Sequence, residues 1–437
     1  DFGDAPNDAE FSANGIFLAD RGSTPKLQEV AYLYRPLHAT ISADSVLVDN
    51  RLLFTDSSAY ECVVTLGREG VALRQAAIET AVPPGAQVQY PLPFGPPDEP
   101  GEYTVDVSFR QRTDTAWAPS GAEVAWDQGV FKVAGEPVPQ APGRPLEVVE
   151  GIHNVGVRGD GFAVLFSQLY GGLASYRLRP EVDGGRELLQ GSPRPNFWHA
   201  PTANERGWGA PFDDGQWLLA SRYAKPKHAW ELHLERRGDA VEVGFGYLLP
   251  TVPASECEVV YLVQPDGRIE VTLTVRPGAG LSDMPEFGML LATSADFDQL
   301  TWYGEGPEEC YVDRRKGARL GLYRADVGEQ LTPYVRPQEA GSHTGVRWAS
   351  VTDATGTGLR FDCRDGMEFS ALPWTPFEIE NALHPNELPP IQRTVLRPAL
   401  MRRGVGGDDS WGAETHPEYR LPRDRELVFR FGFQGIG

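Results

Sequence analysis

Several kinds of residue are scarce in this sequence, and each shortage excludes a class of protein. Only four cysteines occur in 437 residues, and Cys62, Cys257, Cys310 and Cys363 are too far apart to form a local zinc motif. Their scarcity predicts free thiols and a cytoplasmic protein. No stretch approaches the ~20 apolar residues of a membrane helix, and no secretory signal opens the chain.

Positive charge is also in short supply. Lys and Arg total 40 against 61 Asp and Glu, which gives a formal net charge of -21. Because such a chain repels polyanions, we expect neither nucleic acid nor an anionic membrane as a partner. The sequence contains no Gly-x-Ser-x-Gly, phosphate-loop or His-Glu-x-x-His motif. The charge balance therefore suits neutral substrates or cations.

Helical patterns are rare, and one amphipathic helix is predicted near the start of the chain. Thr24 and Pro25 form an N-cap and first-turn pair, and apolar residues follow at i, i+3, i+4 and i+7 from Leu27 to Tyr34. An isolated helix of about 11 residues is marginal in water. Because the chain also begins without Met, we expect this segment to be the tail of a larger unit upstream.

The rest of the sequence predicts strands and turns. Alternating apolar residues between Tyr103 and Phe109 predict a half-buried strand, and residues 37–134 as a whole predict an immunoglobulin-like sandwich. Residues 135–145 contain four prolines and predict a linker. Residues 146–437 predict a large β-sandwich, with a hairpin at 259–275 and a final strand along Leu427, Phe429, Phe431 and Phe433.

The stretch Gly404–Trp411 combines glycines, two carboxylates, a hydroxyl and a tryptophan. It predicts either a tight turn over a packed tryptophan or a loop that presents Trp411 to a sugar ring. Glu305 and Glu308 have the residue type of a glycosidase pair, but solvated loop residues explain them better. His343 and His384 have no partner at metal-ligand spacing, which favours structural roles.

Seven motifs in one order resemble the C-terminal part of the large bacterial β-galactosidases of glycoside hydrolase family 2. Each motif alone is weakly specific, and their shared order is highly specific. The matching segments lie at 1–15, 194–198, 302–307, 313–318, 332–339, 384–389 and 404–411.

The resemblance implies a mainly β protein with a definite map. Residues 1–36 would be the last strand and helix of a catalytic (β/α)₈ barrel. Residues 37–134 would be the immunoglobulin-like domain, and 146–437 an antiparallel supersandwich like that of galactose mutarotase. The two catalytic glutamates of the family would lie upstream, so no catalytic residue is expected in this chain.

The resemblance also implies site residues. The backbone carbonyl of Phe11 and the amide oxygen of Asn14 would hold Na⁺, and Phe11 and Asn14 would belong to the substrate site. Asn7 matches a position associated with Mg²⁺, and Trp411 matches a tryptophan that stacks at the sugar site. Oxygen donors of these kinds suit hard cations. A galactoside substrate, the remainder of the barrel and a homo-oligomer are the implied partners.

The chain departs from the family pattern at a few positions. Ala203 stands where Asp is frequent, Ser12 replaces Cys, and Arg402 and Arg403 replace Gln and Met before the glycine-rich loop. Ala203 weakens an ion or sugar role for its loop, and the arginines would alter the surroundings of Trp411 or a subunit contact. Two alternatives stay open: a non-catalytic subunit or sugar-binding module of a split β-galactosidase, and an aldose epimerase.

Overall fold

The computed structural model describes residue 6 and residues 15–135, 144–227, 232–409 and 412–437. The chain is mainly β, as predicted, and its strands lie in four antiparallel sheets in this part of the sequence. No helix in these ranges has the length and apolar character needed to cross a membrane. The four cysteines are free and buried, which confirms the prediction of unpaired thiols.

The first β unit consists of two sheets around one apolar core. Its strands are β1 (Leu37–Ile41), β2 (Ser45–Asn50), β3 (Tyr60–Arg68), β4 (Val71–Ile78), β5 (Gln87–Pro91), β6 (Gly101–Gln111) and β7 (Glu123–Val133). The sheet orders are β1-β2-β5 and β4-β3-β6-β7. Val48, Cys62, Val107 and Phe109 are fully buried between them. The immunoglobulin-like assignment stays a prediction, and most of the proposed linker lies outside the described residues.

The second β unit packs a small sheet against a large one. The small sheet contains β8 (Glu147–Glu150), β9 (Asn154–Gly159), β10 (Phe162–Ser167), β11 (Gly172–Leu178) and β12 (Arg186–Glu187). The large sheet contains β13 (Arg194–Asn196), β14 (Lys225–Pro226), β15 (His233–Arg237), β16 (Ala240–Leu249), β17 (Ser255–Val263), β18 (Ile269–Arg276), β19 (Glu286–Ser294), β20 (Gln299–Gly306), β21 (Arg319–Asp326), β22 (His343–Thr352), β23 (Gly358–Leu372), β24 (Arg393–Arg402) and β25 (Leu427–Ile436).

One hydrophobic core joins these two sheets. Phe166 of β10 lies 5.5 Å from Tyr261 of β17, and Tyr176 of β11 lies 6.2 Å from Phe433 of β25, between ring centroids. The predicted hairpin is confirmed, because β17 pairs with β18 up to Val263 and Ile269. The predicted final strand is confirmed as well, since Leu427, Phe429, Phe431 and Phe433 are all buried in β25.

Five helices occur among the described residues, four of which the sequence analysis missed: α1 (Lys26–Leu33), α2 (Ala203–Trp208), α3 (Ala210–Asp213), α4 (Gly215–Tyr223) and α5 (Pro376–Asn381). The expectation that the chain after 146 holds only strands and turns is therefore wrong. Thr202 with Glu205, and Thr375 with Glu378, form capping boxes at the starts of α2 and α5. This signature was present in the sequence and could have predicted both helices.

Helix α1 forms where it was predicted but differs in its start and its packing. Thr24 does not cap the helix, since its hydroxyl donates to Ile16 O at 2.5 Å. No residue of α1 is buried, and Tyr34 just after it is 84 % exposed. Polar contacts tie the helix to both β units: Tyr32 OH donates to Asp127, and Glu29 accepts from Gly317 N at 2.7 Å. Tyr32 also packs on Trp126 with 4.8 Å between ring centroids, so the exposed apolar surface of the helix lies at its C-terminal end, at Leu33 and Tyr34.

Candidate functional site

The glycine-rich loop begins at the end of β24, where two arginines are fully buried. Arg403 donates to Glu205 at 2.6 Å and to Asp214 at 2.7 Å, and all three side chains are at most 2 % exposed. A carboxylate buried without a partner is costly, so the arginine holds α2 and α3 against the start of the loop. Arg402 is 0 % exposed. Both arginines therefore act at the base of the loop, and their expected effect on the surroundings of Trp411 or on a subunit contact stays a prediction.

A second buried ion network lies beside the first, across β19, β23 and β24. Arg397 donates to Glu339 at 2.9 Å and to Glu286, while Arg402 donates to Glu286 at 3.0 Å and lies 3.4 Å from Glu368. These five side chains come from sequence positions as distant as 286 and 402, and strand pairing brings them together.

The two buried clusters shift the pKa values of Glu368 and Glu205 in opposite directions. Burial raises the pKa of Glu368 to about 7, because the positive charge of Arg402 lowers this pKa by less than burial raises it. Burial alone would also raise the pKa of Glu205, but the charges of His199 and Arg403 outweigh it and hold that pKa well below its usual range. Glu205 is therefore a permanent anion, whereas Glu368 gains or loses a proton near neutral pH.

A tight turn at 311–314 contacts the start of the glycine-rich loop through Asp313. Tyr311 and Arg314 form an isolated bridge, which points Asp313 at the loop. Asp313 accepts from Val405 N at 3.1 Å and from Gly406 N at 2.8 Å. A Cβ on Gly404 would come within 2.6 Å of the Asp313 carboxylate, so no other residue fits there without displacement.

Asp408 and Asp409, in the C-terminal part of the loop, bind residues that follow the loop. Asp409 accepts from Ala413 N at 3.1 Å, and Asp408 lies 2.8 Å from His416. Both aspartates therefore bind groups of the same loop or of the segment just after it. Trp411, which the loop was predicted to present to a sugar, lies outside the described residues, so the choice between a packed and a presented tryptophan stays open.

A polar cavity of about 120 Å³ opens beside the loop. Residues in or next to four of the resemblance motifs line this cavity, although the four segments are far apart in sequence. Its lining residues are Lys26, Thr202, Ala203, Asn204, Glu309, Tyr311, Arg314, Tyr334, Gln338, Glu339 and Val405. Strand pairing in the second β unit and the position of α1 decide this convergence.

Glu309 is the organising carboxylate of the cavity. It accepts from Arg314 at 2.7 Å, from Tyr334 OH at 3.0 Å and from Gly341 N at 2.6 Å. On the other side, Gln338 accepts from Ala203 N at 2.6 Å, which joins the start of α2 to the loop before β22. Ala203 contributes its backbone N–H to this contact.

Two further candidates from the sequence, Glu305 and His343, have side chains that bind or pack against other residues of this chain. Glu305 is bound by Arg315 and Thr344. His343 is 1 % exposed, stacks on Trp302 with 4.0 Å between centroids, and has its pKa lowered to about 3 by burial. Its structural role is confirmed. The side chains of Glu305 and His343 are not available to bind a substrate in this arrangement.

Four site predictions fall where the structure gives no description. Asn7, Phe11 and Asn14 lie in the segment 7–14, and Trp411 lies in 410–411, so all four are outside the described residues. Their proposed roles toward Na⁺, Mg²⁺ and sugar remain predictions. What the structure adds is the surrounding framework, namely the loop anchored by Asp313 and the cavity around Glu309. Sequence reasoning did not single out Tyr311, Arg397 or Glu286.

Comparison with known families decides the relationship of the chain. Residues 158–433 match a family described as "Beta galactosidase small chain", which is more than half of the sequence. The chain belongs to this family. Residues 46–132 additionally match "Beta-galactosidase, domain 4", which covers the first β unit from β2 to β7.

Individual relatives agree with the family match. A β-galactosidase of Halalkalibacterium halodurans is 38 % identical over the whole chain, yet the chain spans only 43 % of that relative. A β-galactosidase of Streptococcus thermophilus is 37 % identical over 96 % of the chain, which spans 40 % of that relative. A "Beta-galactosidase small subunit" of Latilactobacillus sakei is 33 % identical over 66 % of the chain and is matched along 98 % of its own length.

Among solved structures, a galactose mutarotase-like protein of Lactobacillus casei aligns with 67 % of this chain and all of its own, at a TM-score of 0.33 and 11 % identity. The mutarotase-like supersandwich stays a prediction.

Proposed function

We propose that this chain is the part of a retaining β-galactosidase that completes the substrate site without providing its catalytic glutamates. The complete enzyme would hydrolyse terminal β-D-galactosyl residues, such as that of lactose, by double displacement through a galactosyl-enzyme intermediate. The supporting observation is the match to the β-galactosidase of H. halodurans. The match covers the whole of this chain and only 43 % of the relative. More than half of that relative has no counterpart here.

The glycine-rich loop would contribute orientation and apolar contact. Its base is fixed by Asp313 and by Arg403, so a tryptophan at 411 would be held on a rigid support. Rigid positioning of the substrate contributes to rate without any bond-making group. Carbonyl and amide oxygens at Phe11 and Asn14 are donors that suit Na⁺, and Asn7 would lie near Mg²⁺. The ions would supply charge that orients sugar hydroxyls.

Helix α1 supports the same proposal from the other end of the chain. Its C-terminal end leaves Leu33 52 % and Tyr34 84 % exposed. The remainder of a catalytic barrel would cover this end and recover the free energy of burying it. A homo-oligomer of the complete enzyme is part of the proposal.

The second candidate is a natural subunit of a split enzyme. The relative of L. sakei favours it, because a polypeptide named as a small subunit is matched along 98 % of its length. In both versions the chain needs a large partner for hydrolysis. The mass of the natural polypeptide distinguishes them.

Complementation tests the proposal directly. The 437-residue chain alone should not hydrolyse o-nitrophenyl β-D-galactoside, whereas addition of the unmatched portion of the H. halodurans relative should restore turnover. Robust turnover by the chain alone would overturn the proposal, since it requires a catalytic pair within the chain. Failure of purified, folded components to restore turnover together would also count against it.

A substitution at Trp411 tests the sugar-stacking role. In the complemented enzyme, Trp411→Ala should raise KM by about tenfold, because one aromatic contact is worth about 0.5–1.5 kcal/mol. Thermal unfolding of the variant chain should match that of the unmodified chain. If the variant unfolds at a lower temperature and binds substrate normally, the packed-tryptophan alternative is correct.

A further inference from the structure

The cavity around Glu309 has features that the β-galactosidase proposal does not use. Tyr311 is 1 % exposed and lines the cavity, and its hydroxyl has no hydrogen-bond partner among the described residues. A buried hydroxyl without a partner costs about 1–3 kcal/mol. A native protein keeps such a group where a water, an ion or a ligand binds to it.

Other polar groups at the cavity also have free hydrogen-bonding capacity. Gln338 uses its amide oxygen toward Ala203 N, which leaves its NH₂ group without an acceptor in the described structure. Asn204 uses its NH₂ group toward Ala413 O at 3.3 Å, which leaves its amide oxygen without a donor. The cavity therefore offers both donors and acceptors, as a hydroxyl-rich ligand requires.

Lys26 adds the one cationic donor that is not committed to a carboxylate here. Its hydrogen bond to Gly15 O is long at 3.4 Å, and its ammonium lies 5.7 Å from the centroid of Tyr334. Burial and the charge of Arg314 lower its pKa, which indicates an incompletely hydrated ammonium. An ammonium in this position gains from a further acceptor.

The charges around the cavity disfavour an anion. Arg314 is paired with Glu309 at 2.7 Å, and Glu339 is paired with Arg397 at 2.9 Å. An incoming phosphate would meet Lys26 and the unpartnered Nε of Arg314, but also the carboxylates of Glu309 and Glu339, in a chain of net charge -21. A neutral ligand avoids this repulsion and still satisfies each free donor and acceptor.

The size of the cavity limits the ligand further. Its volume is about 120 Å³. Cavities of about 150 Å³ in other proteins accept one six-membered ring, whereas a single water needs about 10–15 Å³ of such a volume. The space thus fits one monosaccharide edge or a small polyol, and the half-buried Lys26, Asn204 and Val405 leave a route from solvent.

We propose that this cavity, lined by Lys26, Tyr311 and Gln338, is a binding site for a neutral polyhydroxylated ligand, either a monosaccharide or a small polyol. Val405 lines it and stands six residues before Trp411, so the chain holds the two within about 20 Å of each other. The inference does not rest on a role in hydrolysis, because binding here needs none of the upstream residues.

Isothermal titration of the 437-residue chain with galactose, glucose and glycerol, and with inorganic phosphate as the anionic probe, tests the site. We expect at least one neutral probe to bind at millimolar concentration and phosphate to bind more weakly. Tyr311→Phe should weaken that binding three- to tenfold, and Lys26→Met should weaken it about tenfold. Tyr170→Phe and Lys225→Met change the same residue types outside the cavity and should leave binding unchanged.

Thermal unfolding without ligand separates a binding effect from a folding defect. Because the Tyr311 hydroxyl has no partner, Tyr311→Phe should unfold at the same temperature as the unmodified chain or higher. The inference is overturned if no neutral probe binds, if phosphate binds more tightly, or if Tyr311→Phe and Lys26→Met leave binding unchanged. These outcomes are independent of the complementation assay, so either proposal can fail alone.

Discussion

The base of the glycine-rich loop and helix α1 differ in how completely their interactions lie within this chain. At the loop base, Arg397, Arg402 and Arg403 are at most 2 % exposed, and each is paired with buried carboxylates. At α1, no residue is buried, and Leu33 and Tyr34 are 52 % and 84 % exposed. The buried ion pairs of the first region lie within the described chain, whereas the end of α1 leaves two large apolar side chains in solvent.

Under the proposed function, this difference lets the chain fix the glycine-rich loop by itself while another polypeptide covers the end of α1. Buried ion pairs stabilise only when both partners are present, so the loop base depends on residues of this chain alone. An uncovered apolar face contributes little until something packs on it. Substitutions in the two regions should therefore have effects of very different size.

The largest expected effect comes from removing the central arginine of the network. Arg397→Met leaves Glu286 buried with one arginine fewer and Glu339 without its closest one, so the free energy of unfolding should fall by about 3–5 kcal/mol. Urea denaturation measures this. Arg423→Met removes a 60 % exposed side chain paired at 3.6 Å and should change stability by less than about 0.5 kcal/mol. If Arg397→Met and Arg423→Met lower the free energy of unfolding equally, the buried network contributes no more than an exposed ion pair.

The pH dependence of stability gives the next largest effect. The pKa of Glu368 is about 7 in the folded chain against a usual value of 4.5. Between these values the folded state binds more protons, so the stability that Glu368 contributes is present below pH 4.5 and is lost as pH rises through 7.

Glu368→Gln tests this dependence, because the amide oxygen can still accept from Arg402 N. From pH 5 to pH 8, the unmodified chain should lose on the order of 2–3 kcal/mol relative to this variant, measured by urea denaturation. Parallel pH profiles for the two proteins would show that Glu368 is ionised in the folded chain throughout this range.

A smaller effect is expected where the loop meets its supporting turn. Asp313→Ala removes the acceptor for Val405 N and Gly406 N, which should lower the free energy of unfolding by about 1–2 kcal/mol. Limited proteolysis should also cut within 404–409 sooner. Asp160→Ala, at a 72 % exposed side chain, is the matched control and should have neither effect. An unchanged proteolysis rate in Asp313→Ala would show that the turn does not hold the loop.

The smallest effect on stability is expected at α1. Tyr34→Ser should change the free energy of unfolding of the chain by less than about 0.5 kcal/mol, because the side chain is 84 % exposed. In the complementation assay, the same variant should require more of the upstream portion for half-maximal activity. Destabilisation of the chain itself by more than 1 kcal/mol, measured by urea denaturation, would mean that Tyr34 already has its packing partner.

Much of the local structure could be predicted from residue patterns. The alternation of Leu427, Phe429, Phe431 and Phe433 determines a strand because successive side chains point to opposite faces, and the structure confirms it. The capping boxes at Thr202 and Thr375 also specified their helices, although the prediction overlooked them. Short helices have too little periodicity to stand out, so only their caps identify them.

The sequence by itself determined the mainly β class, the free buried thiols and the family relationship, because these depend on composition, local periodicity and the order of motifs. Only the tertiary structure decided that Arg397, Arg402 and Glu286 form one buried network and that Lys26 meets Tyr311 and Gln338 around one cavity. The cavity brings together residues up to 379 positions apart, from Lys26 to Val405. Strand pairing and burial bring them together, and neither leaves a local pattern in the sequence.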